Sequence, residues 1–458
     1  MPFAIAPVPD SRSGMSRTVT PRPFDVTSRT VLAIAVPMTL AYVSVPLLGI
    51  VDTAVVGRLN DAAPLGGLAV GAVVFDLVFG TLNFIRASTT GFVAQAFGRG
   101  DEAEEEATFW RSLSIAVLIG LVIAATGPLL AAAGNAAMDI DGGTAEAART
   151  YVTIRALGAP FSLASYAILG TVLGRGEAGL ALLLTTVLNG TNIVLSITLG
   201  LGLGWGVAGV AWATVTGEAI AALIGIAILL ARFSRSASRP SWAVVADRRL
   251  LLHLLAVNGD IMIRSFCLIG TFALFTRLGA QQGPGTLAAN AILMNLFLLS
   301  AYFLDGLATA AEQLVGRAIG AGWRPAFDRA VQLSVRWGFL LTGIIFVGFS
   351  LAGGVVIDAM TTLPELRDEA RRYLVWAALT APVGVLAFQM DGVFIGATWS
   401  AEMRNMMLAS VGVFLLVAAL AVPAIGNHGL WLALNTFLAA RGLLLWMRLN
   451  PRADRTFG

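Results

Sequence analysis

The chain has 458 residues, 57% of them hydrophobic and only 12% charged, where a soluble domain usually carries about 25% charged residues. Its formal charge of +3 rests on arginine alone, because no lysine occurs, and those arginines flank apolar runs rather than forming the stripe that follows a nucleic acid. One cysteine, Cys267, leaves no disulfide framework, and apolar stretches along nearly the whole length exclude a soluble globular fold.

Residues 1–28 are polar and lack the short apolar core and small-residue cleavage site of a signal peptide. They read as a flexible cytoplasmic tail, with the first span as the insertion signal. Twelve apolar segments follow, near 31–57, 65–91, 112–134, 151–174, 178–202, 207–231, 250–278, 286–315, 331–357, 373–397, 405–424 and 429–448. Each can cross a bilayer, which takes about 20 residues of helix. Each is too long and too continuously apolar for the alternating strands of a barrel. The expected fold is therefore all-α and integral to the membrane, with twelve transmembrane helices. Residues 29–231 would form an N-terminal lobe of spans one to six, and 250–449 a C-terminal lobe of spans seven to twelve. Residues 232–249, with Ser-Arg repeats and Pro240, are the natural linker, and 450–458 a second tail.

Arginine placement sets the orientation. Arg12, Arg17, Arg22 and Arg29 precede span one, Arg232, Arg235, Arg239, Arg248 and Arg249 fill the linker, Arg317, Arg324, Arg329 and Arg336 surround the loop after span eight, and Arg448, Arg452 and Arg455 end the chain. Alternate loops are poorer, Arg367, Arg371 and Arg372 being the main exception. Both termini are expected in the cytoplasm, the protein in a bacterial inner membrane. The halves also resemble each other. Val93-Ala-Gln-Ala-Phe-Gly-Arg-Gly100 ends span two and Val315-Gly-Arg-Ala-Ile-Gly-Ala-Gly322 ends span eight. Six-span repeats of the same topology make two lobes about an axis along the membrane normal, with a binding cavity between them and transport by rocking.

Ionisable groups inside the bilayer are functional candidates by default. Asp52 lies deep in span one with Pro37 and Pro46 on the same helix. Burial disfavours a carboxylate's charged form, the condition for exchanging a proton near neutral pH, and Pro37 is a candidate hinge. Spans five and six add Asn189, Asn192, Ser196 and Thr214. In the second half, Asp260 and Arg264 share a helical face at a spacing of four. With Asp305, Glu312, Asp391 and Arg441, four acids would face two arginines, a surplus of two negative charges. Asp76 and Arg86 in span two are further membrane charges, and Glu218 is expected near the solvated cytoplasmic side. His253 and His428 stand apart from any ligand set, so neither metal nor cofactor is expected.

Several of these residues carry a family resemblance. Pro37 with Asp52, Arg86-Ala-Ser-Thr-Thr-Gly-Phe-Val-Ala-Gln-Ala-Phe-Gly98, Asn258-Gly-Asp-Ile-Met-Ile-Arg264, Leu304-Asp-Gly306, Asp391-Gly-Val-Phe-Ile-Gly-Ala-Thr398, Glu402-Met-Arg-Asn405 and Gly426-Asn-His-Gly-Leu-Trp-Leu-Ala-Leu434 span almost the whole membrane region. With them the chain resembles the multidrug and toxic compound extrusion (MATE) transporters, most closely their DinF branch. The resemblance implies a V-shaped bundle of two six-helix lobes with a central cavity, and export of amphipathic, often cationic compounds in exchange for H⁺ or Na⁺. It implies that Asp52 handles protons and substrate, with Asn192 and Thr214 as polar companions. Ser196 stands where many relatives carry a second acid, which favours a proton over Na⁺. The working expectation is a monomeric H⁺-coupled drug antiporter, not an enzyme, since no nucleophile–base set is present. The alternatives are a lipid-linked saccharide flippase of the same superfamily, which would need a strongly basic cavity, and Na⁺-coupled antiport.

Overall fold

The computed structural model describes residues 22–59, 62–236 and 239–458; most of the expected N-terminal tail lies outside the described residues. Fifteen helices follow in order among them: α1 Ser28–Gly57, α2 Ala62–Leu82, α3 Phe84–Arg99, α4 Glu102–Ala137, α5 Gly142–Leu157, α6 Ala159–Gly174, α7 Ala178–Leu195, α8 Gly206–Phe233, α9 Trp242–Val245, α10 Arg248–Ala280, α11 Pro284–Gly320, α12 Arg324–Met360, α13 Pro364–Gly396, α14 Ser400–Ile425 and α15 Asn427–Phe457. Eleven stretches are long and apolar enough to cross a membrane, α2 and α3 together counting as one. The twelfth span is the pair α5 and α6, bent by 49° at Gly158, just ahead of Pro160. A proline two residues into α6 cannot continue the hydrogen bonds of α5. α1, by contrast, runs as a single helix through both Pro37 and Pro46. α7 continues into a π-helical stretch, Ser196–Gly202, the wider winding that recurs at functional positions. Apolar side chains such as Leu351, 82% exposed, face outward because lipid is as apolar as they are.

Local chemistry sets the span ends. Gly100 ends α3 in the left-handed region at φ 67°, and Asp101 caps α4 by accepting from the Glu104 amide at 3.1 Å. The exceptional arginines after span nine are answered locally. Arg371 reaches Asp358 at 2.6 Å, while Arg367 donates to the Asp358 and Thr361 carbonyls that α12 leaves free.

The two lobes repeat each other at a fixed offset. Val93 and Val315 of the paired sequence motifs lie 222 positions apart, and the packing obeys the same offset. Gly170 of α6 sits against the Arg86 carbonyl and Gly392 of α13 against that of Ala308; Gly174 meets the Thr90 carbonyl and Gly396 that of Glu312. The lobes meet each other symmetrically too. Gly98 of α3 packs on the Arg317 carbonyl of α11, and Gly320 of α11 on the Gln95 carbonyl of α3. The equivalent Gly396 and Gly174 carbonyls accept from glutamines one helical turn out of register, Gln95 Nε2 at 3.0 Å and Gln313 Nε2 at 3.4 Å.

This seam lies at the end of the bundle where the arginine-rich loops gather. The apolar core of the N-terminal lobe crosses it through Leu314, Val315, Val393 and Phe394, whereas Phe275, Phe297, Phe414, Trp431 and their neighbours form a separate core within the C-terminal lobe. Residues expected to belong to a flexible tail close it over: the Arg22 amide donates to the Ala321 carbonyl at 3.0 Å, Phe24 lies under Arg317 and Val26 is buried. At the other terminus α15 runs to Phe457, which packs on Phe327. Buried Arg111 of α4 donates to the Val244 and Val245 carbonyls of the linker at 2.7 and 3.1 Å, fixing α9 to α4.

Candidate functional site

Two polar centres lie inside the bundle. The first is a cavity of about 300 Å³ between the lobes. α1 supplies Tyr42, α3 Arg86, α10 Arg264, α11 Asp305, Thr309 and Glu312, α13 Asp391 and α15 Arg441, with Phe84, Phe272, Phe297 and Phe388 as apolar walls. Arg264 and Arg441 converge on one oxygen of Asp391, and the other Asp391 oxygen is buried without a partner. Arg86 stands 3.7 Å from Glu312 across the lobe boundary, steadied by Asn83 at 3.1 Å. Tyr42 and Thr309 share a hydroxyl hydrogen bond of 2.9 Å across the same boundary. Among the described residues Asp305 faces this cavity with neither a hydrogen bond nor an ion pair to its side chain.

This arrangement corrects the expected charge balance. Asp260 does not pair with Arg264 and does not line the cavity. It binds Arg404 and accepts from Ser400 Oγ at 2.8 Å, tying α10 to α14. A spacing of four puts two side chains on one helical face, but the nearest partner on a neighbouring helix wins. Arg86 enters in the place of Asp260, so three carboxylates meet three guanidiniums, and the expected surplus of two negative charges becomes a formal sum of zero.

The second centre lies within the N-terminal lobe. Ser196 Oγ, the first residue of the π-helical stretch, donates to Asp52 Oδ1 at 2.8 Å. The same oxygen stands 3.4 Å from Asn192 Oδ1, and Asn192 Nδ2 donates to Thr214 Oγ1 at 2.7 Å. Asp52, Ser196, Asn192 and Thr214 thus form one buried chain across α1, α7 and α8. Asn189, expected in the same set, instead donates to Ser44 Oγ of α1 at 2.8 Å. Glu218, expected near solvent, is buried and accepts from Arg155 Nη1 at 2.9 Å. Arg155 was not singled out in the sequence, although an arginine one turn ahead of Gly-Ala-Pro in a membrane span is a visible signal.

Known proteins resemble the chain in both sequence and fold. The MatE family profile matches it twice, over residues 37–198 and 261–421, once for each lobe. It is 39% identical over 422 residues to the DNA damage-inducible protein F of Escherichia coli K12, covering 91% of each chain. Its identity to the Probable multidrug resistance protein NorM of Deinococcus radiodurans is 29%, covering 91% of this chain and 94% of that one. A crystal structure of MATE in the bent conformation superposes with a TM-score of 0.86 over 93% of this chain and 96% of that one, at 17% identity. A MOP superfamily transporter from Pyrococcus furiosus gives the same score and identity, over 94% and 97%. At that identity the agreement is one of fold.

Proposed function

The chain belongs to the MATE family of multidrug and toxic compound efflux transporters, and on that premise we propose that it is an H⁺-coupled antiporter expelling amphipathic, often cationic compounds across a bacterial inner membrane. We read it as a monomer with both termini in the cytoplasm. One observation carries the choice of ion: Asp52 is a buried carboxylate hydrogen-bonded by a hydroxyl, not by an arginine. A hydroxyl has one proton to give. With Asp52 ionised, Ser196 donates to it at 2.8 Å and stays 3.4 Å from Asn192. Once Asp52 is protonated it becomes the donor, and Ser196 is free to turn its proton to Asn192 Oδ1. Protonation therefore re-sorts a chain that ties α1 to α7 and α8, and the two prolines of α1 remove backbone bonds that would resist bending. Substrate would occupy the cavity between the lobes, its apolar part against the phenylalanines and its charge near Asp305. The membrane potential supplies about 2.3 kcal/mol per charge per 100 mV.

Ethidium efflux from proteoliposomes tests this, with a proton gradient and a Na⁺ gradient imposed separately. The expected result is transport under the proton gradient alone, no stimulation by Na⁺, and loss of transport in Asp52→Asn with the protein folded and inserted. Efflux under Na⁺ alone, or a fully active Asp52→Asn variant, would overturn it.

A further inference from the structure

Residues 22–27 run ahead of α1 without helical structure, and their sequence sets that path. Arg22 precedes Pro23, whose ring disfavours the α conformation in the residue before it. Thr27 caps α1 by accepting from the Thr30 amide at 3.2 Å. The segment is thus joined directly to the helix that carries Asp52.

It lies across the crossing of α3 and α11. The Arg22 amide donates at 3.0 Å to the carbonyl of Ala321, the residue that closes α11 and whose carbonyl has no partner within the helix. The Arg22 guanidinium covers Gly100, the left-handed residue that closes α3, where any side chain would collide with it. Phe24 reaches the same crossing. Its ring centre lies 4.2 Å from the guanidinium carbon of Arg317 of α11, which is also 5.3 Å from the ring of Phe97 of α3. Both are cation–π distances. Among the described residues no carboxylate pairs with Arg317, so these rings hold it. Val26, next along, is 5% exposed and belongs to the apolar core that crosses the seam. The segment therefore grips the ends of two helices that belong to different lobes.

We propose that residues 22–26 are a clasp over the seam: in this conformation they hold the ends of α3 and α11 together, and they release Ala321 and Arg317 before the lobes part. The inference rests on the rocking cycle of the proposed antiporter. It goes beyond that cycle by giving control of the seam to a segment outside the twelve spans. One amide–carbonyl bond and one cation–π contact are each weak, so the clasp sets how often the seam opens rather than whether it can.

The test counts open and closed seams. Full-length protein with Cys267→Ser, Gly179→Cys and Ala401→Cys carries one nitroxide at the start of α7 and one at the start of α14, positions that are equivalent in the two lobes. Distances between the labels are measured by pulsed electron resonance in lipid nanodiscs over a pH series, and the parent should show a short and a long one. Phe24→Leu keeps apolar bulk but removes the ring, and should raise the long-to-short ratio about threefold. Arg317→Gln should raise it at least as much. In that background Phe24→Leu should add nothing, because the two residues act through one contact; a segment that merely packs gives additive changes. With a parent that samples both distances, an unmoved ratio in Phe24→Leu or additive effects overturn the clasp alone. A parent with one distance at every pH overturns it together with the rocking cycle. If Arg317→Gln does not fold, the ratio in Phe24→Leu decides by itself.

Discussion

Asp391 and Asp260 look alike in the sequence, each an aspartate inside an apolar span, yet their surroundings differ. Asp391 is buried and shared by two arginines, of which Arg441 is 3% exposed, whereas the Arg404 partner of Asp260 is 32% exposed. Removing the charge of Asp391 strands two guanidiniums in a low-dielectric interior, a change that costs about 3–5 kcal/mol. The Asp260 pair is partly solvated, and its loss costs about 1 kcal/mol or less. Thermal unfolding in detergent should therefore rank Asp391→Asn well below Asp260→Asn, with Asp260→Asn close to the parent; equal losses would mean that the cavity network is hydrated. The individual charges were legible in the sequence because they stand out against apolar neighbours. Their partners were not, because helical spacing fixes a face and says nothing of which helix comes to meet it. Arg264 finds α13, Arg86 finds the opposite lobe, and Arg155 finds α8, all through long-range packing.

At the scale of helices, the spans were readable in number and order, since a bilayer imposes both length and apolarity. Several helices run past the apolar segments, α4 from Glu102 rather than 112 and α15 to Phe457 rather than 448. The break at Gly158 and the π-helical start at Ser196 were not readable, because neither changes hydropathy. The close crossing of α3 and α11 was half legible: the repeated Gly-x-Gly at 98–100 and 320–322 announced two alike helix ends, but not that each leans on the other. Gly98 and Gly320 stand in equivalent places, each against a carbonyl of the opposite helix. Alanine at either position forces the helices apart where backbone meets backbone. Gly98→Ala and Gly320→Ala should reduce ethidium efflux several-fold and by similar factors, with expression and insertion retained. A large effect of one and none of the other would show that the seam is not symmetric in function.

For the molecule as a whole, the inter-lobe hydrogen bonds of Gln95 and Gln313 and the shared apolar core lie between the cavity and the arginine-rich end. Rocking about the cavity, in the proposed transport cycle, would open this seam in the alternate state. Ala94 lies in it, fully buried. In a Cys267→Ser background, Ala94→Cys should react slowly with a membrane-permeant maleimide at rest and at least about ten times faster during proton-driven turnover with ethidium. An unchanged labelling rate would place the moving boundary elsewhere.

The reciprocal fit of Gly98 and Gly320 also bears on descent. Two separate six-helix chains paired about a twofold axis would use one glycine twice, once in each subunit, against one carbonyl used twice. Fusion of such a pair into a single gene leaves two codons where there was one, and each can drift alone. The seam then constrains them as a couple, since each glycine answers to a carbonyl carried by the other copy. Around it the copies have been free to part company, one keeping Thr90 and Arg86 where the other holds Glu312 and Ala308. Within this chain the contact keeps a glycine in both halves while the positions around the cavity beside it differ, an arrangement in which a duplicated scaffold can change its cargo without losing its closure.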